Sequence, residues 1–355
     1  MDRVPIAFCE HVCDVLYDAG LSKSKKLSGN FGQCAQFASR HRTAYEGIVS
    51  DGEESSRYLE YNGRMLNTLE EIDAVPKKFV RDVYIELLDA EEESVSREIV
   101  KRFPYAQYHF GIFSSRINEA CIDLMCSLKR LGNIIIFKEL DDKTIQLFQK
   151  LVEGRKLSTL HVNEWASEVS TLEVIKTLLC QEQFKILTIT NWNGEPSERD
   201  FVRKILQLWS ESSEQLNGKK LFLESYRENG VEQLVDFLLQ RAGVIPRFHL
   251  VQDIQGAKES LTVLGLLSAL KVCSKEECDQ INRDYHHNHT RFFKPSCVYK
   301  YEEGQGAERR RLYISFECAV EEERKTRRQN MPSSHRGHND LSLMLTTTFL
   351  YVLFN

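Results

Sequence analysis

A short apolar frame recurs seven times along the middle of this 355-residue chain, and its spacing constrains the fold more than any other feature. Leu157-x-x-Leu160-x-Val162-x-x-Trp165 is followed by Phe184-x-x-Leu187-x-Ile189-x-x-Trp192 and by Gly218-x-x-Leu221-x-Leu223-x-x-Tyr226. Upstream, Tyr105-x-x-Tyr108-x-Phe110-x-x-Phe113 fits the same frame, and Ile134-x-Ile136 fits its centre. Val80-x-x-Val83-x-Ile85 and Leu250 are weaker outlying members. The central apolar positions 83, 108, 134, 160, 187, 221 and 250 lie 25 to 34 residues apart. A period of that length, with one short strand per unit, marks a leucine-rich-repeat-like array. Arrays of this kind mostly bind other proteins, so the pattern points to recognition before catalysis.

Between the frames the apolar residues take a helical period. Ile117, Cys121, Leu124, Leu128 and Leu131 share one face, as do Ile145, Phe148, Leu151 and Val152. Leu172, Ile175, Leu178 and Leu179 form a third set, Phe201, Ile205, Leu208 and Trp209 a fourth, and Leu234, Val235, Leu238 and Leu239 a fifth. Neither a lone strand nor a lone helix can cover its apolar side, and stacking the units in parallel solves both problems. The expected fold class is therefore α/β: a leucine-rich-repeat-like solenoid with parallel strands, an N-terminal helical head and terminal hairpin caps. Strand side chains alternate between faces, so the residues between the core positions should line a concave, partner-binding surface. His109, Ile135, His161, Thr188, Phe222 and His249 make one such row, and Phe137, Asn163, Thr190, Glu224 and Val251 the next.

The ends read differently. Pro5 suits the first turn of a helix in which Phe8, Val12 and Leu16 align four residues apart. A second helix is expected over Leu27–Phe37. Asn62-Gly63 between Arg57–Tyr61 and Arg64–Leu66 signals a hairpin, placed to cap the first solenoid strand. Ser296–Lys300 and Arg311–Glu317 flank a polar, glycine-containing loop and read as a second hairpin. From about Glu321 periodicity ends; Arg324–Arg336 is basic, and the tail is expected to be disordered up to its apolar end.

The net charge of -5 gives no reason to expect nucleic-acid binding. The ten cysteines follow no disulfide framework, and the start of the chain lacks a secretory apolar core, so a cytoplasmic or nuclear setting is expected. The final apolar stretch from Leu341 is short of the ~20 residues of a membrane span. Cys273-x4-Cys278-x7-His286-x2-His289 is the only metal-like spacing, too loose to compete with the reading of a solvated helix end. No phosphate loop or nucleophile elbow is present, so no catalytic residue, metal or cofactor is expected.

Several of these segments together resemble the lineage-expanded F-box-like proteins of nematodes. The likeness rests on Val4-Pro5 with Phe8, Val12 and Leu16, on Leu27-Ser28-Gly29-Asn30-Phe31-Gly32, on Tyr61-Asn62-Gly63-Arg64, and on the closing segments Val298–Glu303 and Arg309–Cys318. The resemblance implies a substrate receptor of a cullin-RING (SCF-type) ubiquitin ligase. Val4, Pro5, Phe8, Val12 and Leu16 would contact a Skp-type adaptor, and the solenoid would hold an unknown protein substrate. The alternative is a repeat scaffold that binds a protein partner without ligase contact. The expected organisation is an F-box-like helical segment over 1–50, a capping hairpin and linker over 51–79, the solenoid over 80–255, a C-terminal helical and hairpin cap over 256–320, and the disordered basic tail with its apolar end over 321–355.

Overall fold

The structure is a computed structural model that describes residues 4–16, 18–89, 92–166, 169–191, 200–224, 229–244, 255–286, 291–306, 309–326 and 330–355. The fold is mixed α/β, with parallel strands through the middle of the chain and antiparallel strands toward both ends. The chain divides into two compact units, Met1–Lys156 and Leu157–Asn355, so the boundary falls inside the span expected to form one array.

The first unit contains β1 (Thr43–Ser50), β2 (Glu53–Tyr61), β3 (Arg64–Leu66), β4 (Val80–Leu87), β5 (Gln107–Ile112) and β6 (Leu131–Ile136). Their order in the sheet is β6-β5-β4-β1-β2-β3. β4, β5 and β6 pair in parallel and in sequence order, as the repeated frame predicts. Each is followed by a helix: Ser94–Arg102, Glu119–Ser127 and Asp142–Glu153. Val83, Ile85, Tyr108, Phe110, Ile134 and Ile136 are buried, while the residues between them turn to the other face. Asp141 caps the last of these helices by accepting the Thr144 amide at 2.8 Å, which satisfies a free backbone donor.

Two expectations for this unit need correction. Thr43–Ser50 is a strand and not the end of a helical segment: Tyr45 and Val49 alternate inward, and β1 pairs in parallel with β4. The hairpin therefore does not cap β4. It extends the sheet through β1, turning at Asp51-Gly52 and again at Asn62-Gly63, four residues that all take positive φ as a tight hairpin turn requires. A buried polar cluster ties this extension down. Arg102 donates to both carboxylate oxygens of Glu54 at 3.2 Å and to the Tyr45 hydroxyl at 3.0 Å, while that hydroxyl also donates to Glu54.

The second unit contains β7 (Thr159–Asn163), β8 (Ile186–Thr190), β9 (Lys220–Glu224), β10 (Lys271–Val272), β11 (Arg291–Phe292), β12 (Tyr299–Glu303), β13 (Arg310–Phe316), β14 (Met331–Pro332) and β15 (Phe349–Phe354). β7, β8 and β9 are parallel and in sequence order. Leu160, Val162, Leu187, Ile189, Leu221 and Leu223 are all buried, beside the apolar faces of the helices Val169–Leu179, Phe201–Glu211 and Asn229–Arg241. Leu250, expected as a further rung, lies outside the described residues.

Beyond β9 the pattern changes direction. β15 pairs antiparallel with β9 and with β13, and β13 pairs antiparallel with β12, giving the order β7-β8-β9-β15-β13-β12-β10. The expected hairpin of β12 and β13 is present. The apolar chain end, beyond the stretch expected to be disordered, is packed into the sheet: Leu350, Tyr351, Val352, Leu353 and Phe354 are fully buried. A run apolar on both faces cannot remain in water when two strands offer it a complete hydrogen-bond ladder. Among the described residues, no helix is long and apolar enough to cross a membrane.

Candidate interaction surfaces

The N-terminal helix runs from Ile6 to Val15, directly after Pro5. Its buried stripe is not that of Phe8, Val12 and Leu16, the residues expected to contact an adaptor. Cys9 and Cys13 face inward, and Cys13 packs with Leu21, Ala35 and Ala38, flanked by Phe31 and Cys34. Small side chains on both helices let the backbones approach. Gly32 does the same: a Cβ there would fall 1.8 Å from the Leu27 carbonyl oxygen. Arg42 donates to the Cys13 carbonyl at 2.8 Å and to that of Leu16, fixing the helix end. Among the predicted adaptor contacts, Val4, Val12 and Leu16 are half-buried, Pro5 is exposed, and Phe8 is 57% exposed. Ile6 and Val15, which the sequence reading passed over, are 55% and 51% exposed. Phe8 and Val15, seven residues apart, thus share an uncovered side of a helix anchored through Cys9 and Cys13, while Ile6 lies across the first turn from Phe8.

The face of the first sheet opposite its buried helices carries His109, Ile135 and Phe137. His109 stacks on Tyr84, with ring centroids 4.5 Å apart and planes at 16°. Its Nδ1 accepts the Asn133 amide at 3.1 Å, which assigns the proton to Nε2, and Nε2 lies 3.4 Å from Asp82. Phe137 stacks on Phe113 at 3.8 Å. Beside them, Tyr58 is hydrogen-bonded to Glu46, a bond that with burial pushes its phenol up to about 12. Burial and the neighbouring Glu46 raise the Glu86 carboxyl as well. Tyr84, Glu86, Glu46, Tyr58 and Phe113 were missed as surface residues, although Tyr84 and Glu86 flank Ile85 in the frame that places His109.

The expected single row through His109 and Ile135 is broken. Tyr108 pairs with Leu131, but Phe110 pairs with Ile134, so an extra residue of β6 is accommodated between them. Ile135 consequently stands beside Gly111, one rung beyond His109. Gly132 makes room for the histidine, since a Cβ at that position would come within 2.6 Å of the His109 ring.

In the second unit the predicted face is largely closed. Thr188 is only 8% exposed, and Asn163 and Thr190 are buried too. In the register Thr188 sits between His161 and Phe222, two larger side chains on the same face. His161 lies 3.2 Å from the Thr190 hydroxyl, and burial pushes its imidazole down to about 4. Asn163 turns back to accept the Trp165 amide at 3.2 Å. Phe222 packs edge-on to Tyr351 at 4.7 Å, in a cluster with Cys278 and Ile281 of the helix Lys275–Tyr285. Burial also raises the Glu224 carboxyl. Thr188, Thr190 and Asn163 are therefore corrected from surface to interior positions, Phe222 is partly buried, and His249 and Val251 lie outside the described residues.

The loose cysteine–histidine spacing resolves in part. Cys273 and Cys278 sit in that same apolar cluster, and burial raises both thiols, Cys278 to about 11. His286 terminates its helix in a left-handed conformation, and His289 is not described. Among the described residues, no group of three or more His, Cys, Asp or Glu side chains is placed to hold a metal ion. No protein-family model matches this chain, and no curated protein aligns with it.

Proposed function

We propose that the protein is a protein-interaction module that serves as substrate receptor of an SCF-type ubiquitin ligase, its strand–helix units forming a leucine-rich-repeat-like solenoid. The observation that carries the reading is the exposed pair Phe8 and Val15, seven residues apart and so on one side of the N-terminal helix. An exposed apolar pair on one side of a helix already anchored through Cys9 and Cys13 is what an adaptor-docking helix needs. The aromatic face of Tyr84, His109, Phe113 and Phe137 supports a second, separate contact with a substrate. Two contacts on one chain raise the effective concentration of a substrate near the ligase chemistry, which requires no catalytic residue here.

The test is co-precipitation with a Skp-type adaptor. The wild type is expected to bind it, and a Pro5→Ser, Phe8→Ala variant is expected to lose binding while keeping its melting temperature, because both side chains are exposed. If the wild type captures no adaptor, the ligase reading fails and a repeat scaffold without ligase contact takes its place.

A further inference from the structure

The open face of the first sheet mixes rings and aliphatic side chains with carboxylates. Across β2, β1, β4 and β5 the register sets Tyr58, Glu46, Tyr84 and His109 side by side. One rung further on, Ile48 stands beside Glu86, and Glu86 beside Gly111. Glu46 and Glu86 are therefore diagonal neighbours, with Tyr84 and Ile48 on the other diagonal. A Cβ on Gly111 would meet the Phe137 ring at 3.3 Å, the Phe113 ring at 3.5 Å and the Glu86 Cγ at 3.6 Å, so Glu86 also borders the stacked phenylalanine pair. None of these positions is sealed off by other elements. Tyr84 is 36% exposed, and Glu46, Ile48, Tyr58 and Glu86 are half-buried.

The carboxylates on this face have no cation to answer them. Glu46 accepts the Tyr58 hydroxyl, a neutral partner, and Glu60 lies close enough to act on the same phenol. Burial and then the charge of Glu46 raise the Glu86 carboxyl, and no cation acts to lower it. Glu46, Glu60 and Glu86 form no ion pair among the described residues. His109 does not supply the charge, because its Nδ1 accepts the Asn133 amide and the ring is neutral. Asp82 is left out of the count. It lies 3.4 Å from His109, and it lines a cavity at the strand starts together with Arg42, Arg81 and Arg130.

The charge of this face selects what can cover it. An anionic surface, nucleic acid or lipid, is repelled by three carboxylates. A cation is drawn to them, and the tyrosine rings beside them add an electron-rich face that attracts one further. An ammonium group is a compact charge that keeps its water. A guanidinium lies flat on a ring while its planar fork reaches carboxylates at its edge. The alternation of ring and carboxylate across β1 and β4 suits the second. We infer that this face binds an arginine-bearing basic segment of a partner protein, with a guanidinium held by Glu46 and Glu86 against Tyr84. The inference rests on the reading of this face as the substrate contact, and it names the class of substrate.

Fluorescence anisotropy of labelled hexa-arginine with the full chain, at about 150 mM salt, tests the assignment. Saturable binding is expected, tighter than that of hexalysine. Glu46→Gln/Glu86→Gln should weaken it about tenfold or more. The same double variant should not lower the melting temperature, because it relieves the repulsion between the two carboxylates. Tyr84→Leu should weaken hexa-arginine more than hexalysine. Asp279→Asn, which removes an exposed carboxylate from the helix Lys275–Tyr285 of the second unit, should bind as the wild type does. No saturable binding, hexalysine binding as tightly as hexa-arginine, or equal affinity of the wild type and the double variant would overturn the inference. Self-association of the wild type that the double variant abolishes would also overturn it, by making a second copy the occupant. Adaptor co-precipitation reports the N-terminal helix and oligoarginine reports this face, so the ligase reading and the inference can fail separately.

Discussion

His161 should make this protein acid-sensitive, and the size of the effect follows from its surroundings. Its imidazole is pushed from the ordinary 6.5 to about 4 by burial. Between those values the unfolded chain holds a proton that the folded chain refuses, so stability falls as the pH falls. The full gap is worth about 3 kcal/mol once the pH is below both values, and about 2 kcal/mol is already lost between pH 7 and pH 5. His161→Gln removes the titration while keeping a polar group near Thr190. All three tryptophans, Trp165, Trp192 and Trp209, belong to the second unit, so their fluorescence during urea unfolding reports the unit that contains His161. Between pH 7 and pH 5 the wild type should lose about 2 kcal/mol more than the variant. In NMR titrations the His161 ring signals should stay unmoved down to about pH 5. Losses that agree within about 0.5 kcal/mol, or a ring that titrates near 6.5, would refute the argument that burial governs this side chain.

Two further perturbations test other parts of the structure. Arg102→Met strips Glu54 of its two-pronged partner, leaving it Arg57 at 3.2 Å as its cation, and should cost about 3 kcal/mol by urea unfolding, with Arg102→Met/Glu54→Leu recovering part of it because the buried carboxylate is gone while the half-buried Arg57 can turn to solvent. Gly132→Ala drives a methyl into the His109 ring and should cost about 1–3 kcal/mol, whereas Gly63→Ala, with nothing within 4 Å of the added atom, should show only the smaller penalty of its positive φ.

The core of the strands was legible from the chain alone because each frame decides its own facing. Val83 and Ile85, Leu160 and Val162, Leu187 and Ile189, Leu221 and Leu223 occupy alternate positions, and all are buried. The helices between them were legible for the same reason, a period contained within about twelve residues. What was not legible depends on partners far away in sequence. Phe349–Phe354 reads as a loose apolar end until β9 and β13 are found on either side of it. Thr43–Ser50 did carry a local signal, the alternation of Tyr45 and Val49 closed by Asp51-Gly52, and this was overlooked beside the stronger Asn62-Gly63 hairpin.

Surface positions obey a different logic from core positions, and this separates the sites the sequence could place from those it could not. A core residue is buried by the face it points to. An outward residue is exposed only if its cross-strand neighbours are no larger than it is. Thr188 points outward as expected and is still covered, because its register partners are His161 and Phe222. Tyr84, beside His109, keeps its exposure because it is itself the large ring of its row. The arginine cavity carries the argument one step further. Nothing in the segments around Arg42, Arg81 or Arg130 singles them out, and in isolation each is an ordinary cation beside a strand. They line one cavity only because β1 joins the parallel set next to β4, which brings the start of a strand assigned to the head alongside the starts of the repeated strands. The same strand that the periodicity failed to include is therefore the one that brings Arg42 to the cavity lined by Arg81 and Arg130.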